Sequence, residues 1–551
     1  MKASLPAVLM LALATATHGK DVVPLPHLER HNGVSQLMLD GQPFLMRAGE
    51  LENSTPSDLK RMETVWPRLA AMHFNTAIVP AYWELIEPRE GQFDFRSVDG
   101  LIEGARRHHM RLVLLWFGRW KNSMSSYVPA WVKWDAVRFP RARRPDGTAI
   151  EILSALSPEN LRADGNAFTA LMTHLKAVDG TRHTVVLVQV ENEVGMIPEA
   201  RDHSPAADAA YHAPVPAQLT DYLAAHRDGL QPNLLAAWKR HGFQTGASWP
   251  ETFGDSIWTE EFFNAWSEAL YTGKVAARGK AIYPLPMNVN AALVRPGRKP
   301  GEYPSGGPLP HLFDIWKAAA PAIDFLSPDL YFPNFTEWAG KYVRPDNPFF
   351  IPETGRAGAA AMSADAAYAF ARLGAMGFSP YAPDLFFAGE MKTLGEAYGV
   401  FAELSPLIAA RQGTPRLQGF TVPAAFDGTP DLSAQTFRFG PYVFEAHFTM
   451  PPPVSTGQKE ETEIPGAHGG LIVQVGPDEF YVAGTGTAIT FASTDAGRPV
   501  AGIEMIEEGH FVDGHWARGR VLNGDDNNQG RNLRLPSGQF TIRHVRLYRY
   551  R

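Results

Sequence analysis

From about residue 40 to about residue 390, short apolar runs alternate with stretches of helical periodicity, and this alternation constrains the fold more than any other feature. Eight runs read as strands: Phe44–Gly49, Asn75–Trp83, Arg111–Gly118, Thr184–Glu193, Ala281–Asn290, Asp324–Tyr331, Phe349–Glu353 and Gly377–Tyr381. Between them Ser57–Ala71, Val98–Arg107, Gly165–Val178 and Ala364–Leu373 read as helices. Strands apolar on both faces, each followed by a helix, predict a parallel sheet, and eight of them predict a (β/α)8 TIM barrel. The connection Met196–Lys280 is much longer than the others. It holds helix-like Leu219–His226 and Asn233–His241 and a Pro/Ala-rich stretch near Pro205–Pro216. Such an insertion is expected to cover the barrel mouth.

Two of the runs stop on carboxylates. Thr184–Val190 leads into Glu191-Asn192-Glu193-Val194-Gly195, and Pro348–Pro352 leads into Glu353-Thr354-Gly355-Arg356. On the strand count Glu193 closes strand four and Glu353 closes strand seven. The C-terminal ends of barrel strands are where such folds carry their chemistry. A carboxyl pair there suits glycosidic bond cleavage, one as acid and the other as nucleophile or base. Either glutamate alone would read as an ordinary salt-bridge partner; the pair at one barrel end is what points to catalysis.

After about residue 410 the texture changes to Pro, Gly, Thr and short alternating runs: Tyr442–Phe448, Leu471–Val475, Phe480–Ala483, Ala488–Phe491 and Phe540–Tyr548. This predicts a smaller all-β, sandwich-like domain. Pro451-Pro452-Pro453 and Gly457–Gly466 read as an exposed loop. Asn523–Asn528 reads as a solvated turn, since no glutamate closes it as a calcium loop. The chain therefore divides into 1–19, 20–400 as the barrel, and 410–551 as the β domain.

The first segment resembles a secretory signal. Lys2 precedes the apolar run Leu5–Ala16, which is too short to span a bilayer. Export to the periplasm or beyond is the expectation, with no membrane insertion. The chain has no cysteine, which excludes thiolate metal sites and cysteine nucleophiles. The net charge of −7 and the lack of a long basic stretch argue against nucleic acid. No cofactor is implied, and no His/Asp/Glu cluster at metal-ligand spacing appears. The sequence leaves the oligomeric state open.

The string Gln189-Val190-Glu191-Asn192-Glu193-Val194-Gly195 resembles the acid/base motif of glycoside hydrolase family 35 β-galactosidases. Further similarity lies in Gly49–Ser54, in Trp83–Pro88 followed by Gly91–Phe95, and in Pro129-Ala130-Trp131. That family belongs to a clan of retaining barrel glycosidases with the acid on strand four and the nucleophile on strand seven. The resemblance implies Glu193 as acid/base, Glu353 as nucleophile, Asn192 on the sugar 2-hydroxyl and Tyr331 as a donor beside the nucleophile. Its implied substrate is a galactose-containing oligosaccharide or plant polysaccharide side chain such as xyloglucan.

Other positions carry separate expectations. Many family members have Ala-Glu-Trp after strand three, where this chain reads Phe117-Gly118-Arg119-Trp120-Lys121-Asn122. Asn122 or Trp116 is the substitute candidate for that sugar contact. Glu50 and Asn53 follow strand one and are candidates for hydroxyl binding. Tyr82 and Trp83 close strand two; one is expected as a sugar platform and the other as core. Asn288 and Asn290 end strand five, and Asn288 is the candidate substrate contact. Glu191 points the same way as Glu193 on a regular strand, yet reads best as a buried partner of an arginine or a backbone donor. His108-His109 precedes strand three, at the wrong end for chemistry.

Two other functions compete with an exo-acting β-galactosidase: an endo-acting β-glycanase of the same clan, and a carbohydrate-binding protein without activity. The presence of both Glu193 and Glu353 argues against the second.

Overall fold

The computed structural model describes residues 23–450, 462–463 and 466–551. The candidate signal segment lies outside the described residues, as does the Pro451–Pro453 run with most of the loop after it. Eight parallel strands close into a barrel: β1 Met46–Glu50, β2 Thr76–Tyr82, β3 Arg111–Lys121, β4 Val185–Asn192, β5 Met287–Ala292, β6 Phe325–Leu330, β7 Ile351–Arg356 and β8 Gly377–Tyr381. Strand β8 closes on β1, with Tyr381 opposite Glu50.

Period-two alternation decides which way each strand side chain faces. On β3, Leu112, Leu114 and Trp116 join the core between sheet and helices, while Val113, Leu115 and Phe117 join the core inside the barrel. The hairpin His27–His31/Val34–Leu39 adds Leu37 and Leu39 to that inner core, entered from the N-terminal end of the strands. The inside is thus filled from below, which leaves the C-terminal mouth for polar groups.

Strand five begins later than the sequence suggests. Residues 281 and 282 belong to the end of a 26-residue helix, Ile257–Ile282. That helix is the one following β4 in the barrel, so the insertion proper occupies the residues before it. There Pro205–Tyr211, Ala217–Ala225 and Pro232–Arg240 are helical. Helix Ile257–Ile282 lacks a clear apolar stripe because it is buried on most sides, which hides it from periodicity.

Helix Lys392–Arg411 ends the barrel, and the rest is β-structure, chiefly in two sheets. A six-stranded sheet holds 417–421, 469–474, 479–485, 541–550, 500–512 and 515–522; a four-stranded sheet holds 435–439, 442–447, 487–493 and 533–535. Phe420, Phe480, Val482 and Val545 of the first meet Phe437, Phe444, Ile489 and Leu535 of the second in a shared core. The outer face of the larger sheet packs on helices Met362–Ala371 and Lys392–Arg411. Glu403 accepts from Phe511 N (2.7 Å) and Glu396 from Phe540 N (2.9 Å), which pins the sandwich to the barrel. Residues 524–527 form a short 3-10 turn capped by Asn523.

Candidate active site

Every barrel strand sends a polar or aromatic side chain to the mouth. Asp329 on β6 stands opposite Glu353 on β7 in the parallel register, so both face the barrel axis. Glu193 follows β4 directly. One carboxylate oxygen from each of Glu193, Asp329 and Glu353 lies within 4.8 Å of the others, and all three residues are buried. The spacing of these residues along the chain concealed this cluster, because three separate strands bring it together. It offers only carboxylate oxygens, and Glu50 on β1 adds a fourth acid, fully buried, with no hydrogen-bond partner among the described residues.

Four acids in one buried space cannot all ionise. Burial, then the charges of Glu353 and Glu193, holds the Asp329 carboxyl protonated well above the usual range. Neutral Asp329 donates to Glu193 while its other oxygen accepts from Asn290 Nδ2 at 2.6 Å. Glu50 is pushed up in the same way by burial and by the Glu353 charge. Glu193 is itself raised to about 7, chiefly by burial and by the Glu353 charge. Lys121, at the end of β3, opposes these shifts as the nearby cation and rests over the Phe117 ring at 5.0 Å.

Tyr331 donates its hydroxyl to Glu353 Oε1. Its phenol is driven far above its ordinary value by burial and the Glu353 charge, so it stays a donor. Tyr381 packs edge-on against Tyr331 at 6.4 Å and accepts from Asn53 Nδ2 at 3.4 Å. Asn53 Oδ1 is buried and without a partner among the described residues. Glu50 and Asn53 both lie at the barrel mouth.

The backbone at the end of β4 explains why neighbouring glutamates part. Glu191 and Glu193 have φ of 64° and 48°, in the left-handed region that costs a non-glycine residue energy. A regular strand would aim both inward. Here Glu191 turns out of the barrel and accepts from Arg119 N (3.2 Å) and Trp120 N (2.7 Å). Arg119 is fully buried, paired with Glu268 and stacked on Tyr271. The reading of Glu191 as a buried partner therefore holds, though not the shared direction with Glu193.

Asn192 is fully buried. Its Nδ2 donates to Asn122 Oδ1 (3.0 Å), and its Oδ1 accepts from Gln189 (3.3 Å) and Asn290 (3.2 Å). Asn122 lies above it, exposed at the mouth.

Four candidates fall away from the site. Trp116 faces the helices, fully buried, with its indole N–H held by Asp164 at 2.9 Å. Trp83 is the first residue of a short helix, fully buried, with its N–H on Glu87 at 2.8 Å. Neither can present a ring to a sugar, because both are outside the strand layer. Tyr82 faces inward, but its hydroxyl is spent on Asn53 O at 2.5 Å and only 3% of the residue is exposed. Asn288 also misses the site: it sits one side-chain layer deeper and bonds Gln189 and Ser327. Asn290, two residues on, reaches the carboxylates and also accepts from Glu193 N at 2.8 Å. His108 and His109 lie in the turn entering β3, at the opposite end.

Sequence reasoning missed Asp329, Lys121 and Tyr381 as site residues. Asp329 carried a signal, since it precedes Tyr331 by two and strand periodicity puts both on one face.

Residues 58–271 match a family model described as beta-galactosidase, glycoside hydrolase family 42. The match spans Glu193 and stops short of Glu353. It names a different family of the same clan from the family 35 suggested by the motifs, and that expectation is corrected accordingly. Residues 394–534 match a domain of unknown function, DUF5597, which takes in the last barrel helix and most of the sandwich. No curated protein matches the chain. Similar solved structures include the β-galactosidase of the psychrophilic Marinomonas ef1, with 13% identity and a TM-score of 0.45, covering 66% of this chain and 60% of that one. The β-galactosidase of Rahnella sp. R3 gives 14% identity and 0.44, covering 69% and 57%. An exo-β-1,4-mannosidase from Opitutaceae bacterium strain TAV5 gives 13% and 0.35, covering 62% and 52%. This chain thus spans 60% or less of these structures' own length. The family match, on a barrel whose mouth holds paired buried carboxylates, makes residues 58–271 part of a glycoside-hydrolase domain.

Proposed function

We propose that this chain is an exported, exo-acting β-galactosidase that cleaves terminal β-galactose with retained configuration. The observation that carries the reading is the closeness of Glu193 and Glu353, with oxygens within 4.8 Å. Oxygens that close suit a nucleophile and an acid flanking one bond, as in retaining enzymes. The description of the matched family model supports galactose as the sugar.

In the first step a Glu353 oxygen attacks the anomeric carbon, the glycosidic C–O bond breaks, and the Glu193 proton goes to the leaving oxygen. A Glu193 raised to about 7 retains that proton at neutral pH. Once Glu353 is an ester its charge is gone, so Glu193 ionises more readily. In the second step Glu193 takes a proton from water, the hydroxide oxygen bonds the anomeric carbon, and the ester bond breaks. Tyr331 holds one oxygen of Glu353 by its hydroxyl, and protonated Glu50 adds no second negative charge beside it. Asn122, Glu50 and Asn53 are the proposed hydroxyl contacts, and the N-terminal Lys2–Ala16 pattern supports export.

The test compares nitrophenyl β-galactoside with the glucoside, xyloside and arabinoside, and follows early galactose by proton NMR. β-Galactose appearing first, and loss of more than about a thousandfold in Glu353→Ala, are expected. An early α-anomer, or oligosaccharides cut from chain interiors, would overturn the reading.

A further inference from the structure

Trp258, the second residue of helix Ile257–Ile282, is 43% exposed. Single exposed apolar side chains are common, and what marks this one is its place beside two cavities. Trp258 stands between two cavities of about 350 and 500 Å³, and Asn233 and His311 line both of them with it. The more exposed Trp134 lines neither. The two cavities form one trough divided by the indole edge.

The walls of the trough come from the mouth side of the barrel. Helix Ile257–Ile282 begins where the excursion after β4 ends, Arg298 and Tyr303 lie in the connection after β5, and Trp338 is in the helix after β6. One of its walls is joined by a ring contact to the residue beside Tyr331. Trp338 lies 6.2 Å from Phe332, which follows Tyr331, the donor to Glu353. Arg295 covers Phe332 at 5.9 Å. Phe426 of the segment leading into the sandwich packs on the same ring at 5.2 Å, so the β domain helps wall this side.

The chemistry of the trough is mixed. Trp258 offers a flat apolar face. The Asn233 side chain has no hydrogen-bond partner, and Arg298 no ion pair, among the described residues. His311 is held in place by Glu261 at 2.9 Å. Apolar faces beside free donors and acceptors suit pyranose rings, which show C–H groups on one face and hydroxyls at the rim.

We propose that the trough across Trp258 binds the glycan chain from which galactose is removed, as a subsite separate from the carboxylate cluster. The proposal rests on the β-galactosidase reading for the identity of the released sugar, though not for the binding itself. An aryl galactoside has no glycan to place there, whereas a galactosylated oligosaccharide does.

The experiment uses the full chain and Trp258→Ala, with Arg298→Ala as a second variant that leaves the indole in place. Substrates are nitrophenyl β-galactoside and a galactosylated xyloglucan oligosaccharide. In both variants the KM for the oligosaccharide should rise, by about tenfold for Trp258→Ala, with aryl galactoside kinetics unchanged. Equal loss on both substrates, or no change on either, overturns the proposal. Binding is read separately by tryptophan fluorescence with a xyloglucan oligosaccharide that lacks galactose. Wild type should titrate and Trp258→Ala should not. That result would support the trough even if no galactoside were cleaved, a failure belonging to the activity reading alone. Equal titration by both, or a change of sedimentation in Trp258→Ala with glycan binding intact, assigns the trough to another role and overturns it.

Discussion

Asp329 and Glu353 stand side by side at the ends of adjacent parallel strands, with Glu193 close enough that one oxygen of each lies within 4.8 Å of the others. Burial and the Glu353 charge raise the proton affinity of both Asp329 and Glu193. Asp329, buried and held by Asn290, keeps its proton and shares it with Glu193.

This arrangement sets the pH profile. Glu193 is raised to about 7, and as the acid it must be protonated for the first step. The alkaline limb of kcat/KM for poorly activated galactosides should therefore fall near pH 7. In Asp329→Ala the carboxylate form of Glu193 loses a donor, so its proton affinity rises and the limb should move to higher pH. Asp329→Asn keeps a donor and should leave the limb near its wild-type position. A pH–rate profile of the three proteins checks both directions.

Tyr331 is the donor to Glu353 Oε1. Tyr331→Phe removes that bond and keeps the ring, including its edge contact with Tyr381 at 6.4 Å. A hydrogen bond to a charged group contributes about 1.5–3 kcal/mol, so kcat/KM should fall by roughly 10- to 100-fold with the fold unchanged. Steady-state kinetics beside circular dichroism separates the two effects.

Glu191 and Glu193 should fail differently. Glu193→Ala should spare the first step for activated aryl galactosides, and added azide should restore turnover in the second. Azide should not rescue Glu191→Ala, because that side chain faces away from the mouth. Its loss frees Arg119 N and Trp120 N in a buried space and removes a charge partner of Arg119. A destabilisation of about 3 kcal/mol or more is expected, read from urea unfolding midpoints.

Asp365 provides a stability test far from the carboxylates. It is buried where helix Met362–Ala371 meets the sandwich, accepts from Thr421 Oγ1 at 3.0 Å, and is raised to about 7 by burial. The unfolded chain releases this proton near the ordinary aspartate value, while the folded protein holds it to about 7. Its contribution is therefore full below about pH 4, declines as pH rises towards 7 and is flat above. The span amounts to about 4 kcal/mol. Asp365→Asn should match wild type in thermal unfolding at pH 4 and exceed it by a few degrees at pH 8.

The sequence by itself determined the barrel and the two glutamates that end strands four and seven. Eight apolar runs at strand length have few other ways to be buried, and a carboxylate at a run's end is visible without knowing its neighbours. The β texture after residue 410 was visible too, although the strands at 417–421, 435–439, 500–512, 515–522 and 533–535 were not singled out. Those strands are partly exposed or interrupted by bulges, which blurs alternation. The tertiary structure alone decided which polar groups share the mouth. Trp83 and Trp116 lie outside the strand layer because of local turns and strand phase, which residue type does not reveal. Left-handed backbone at Glu191 and Glu193 reversed the facing that regular alternation predicts. Asp329, Lys121, Tyr381 and Glu50 meet Glu193 and Glu353 only when the barrel closes, and there burial and neighbouring charges raise the proton affinities of Glu50, Glu193, Asp329 and Tyr381.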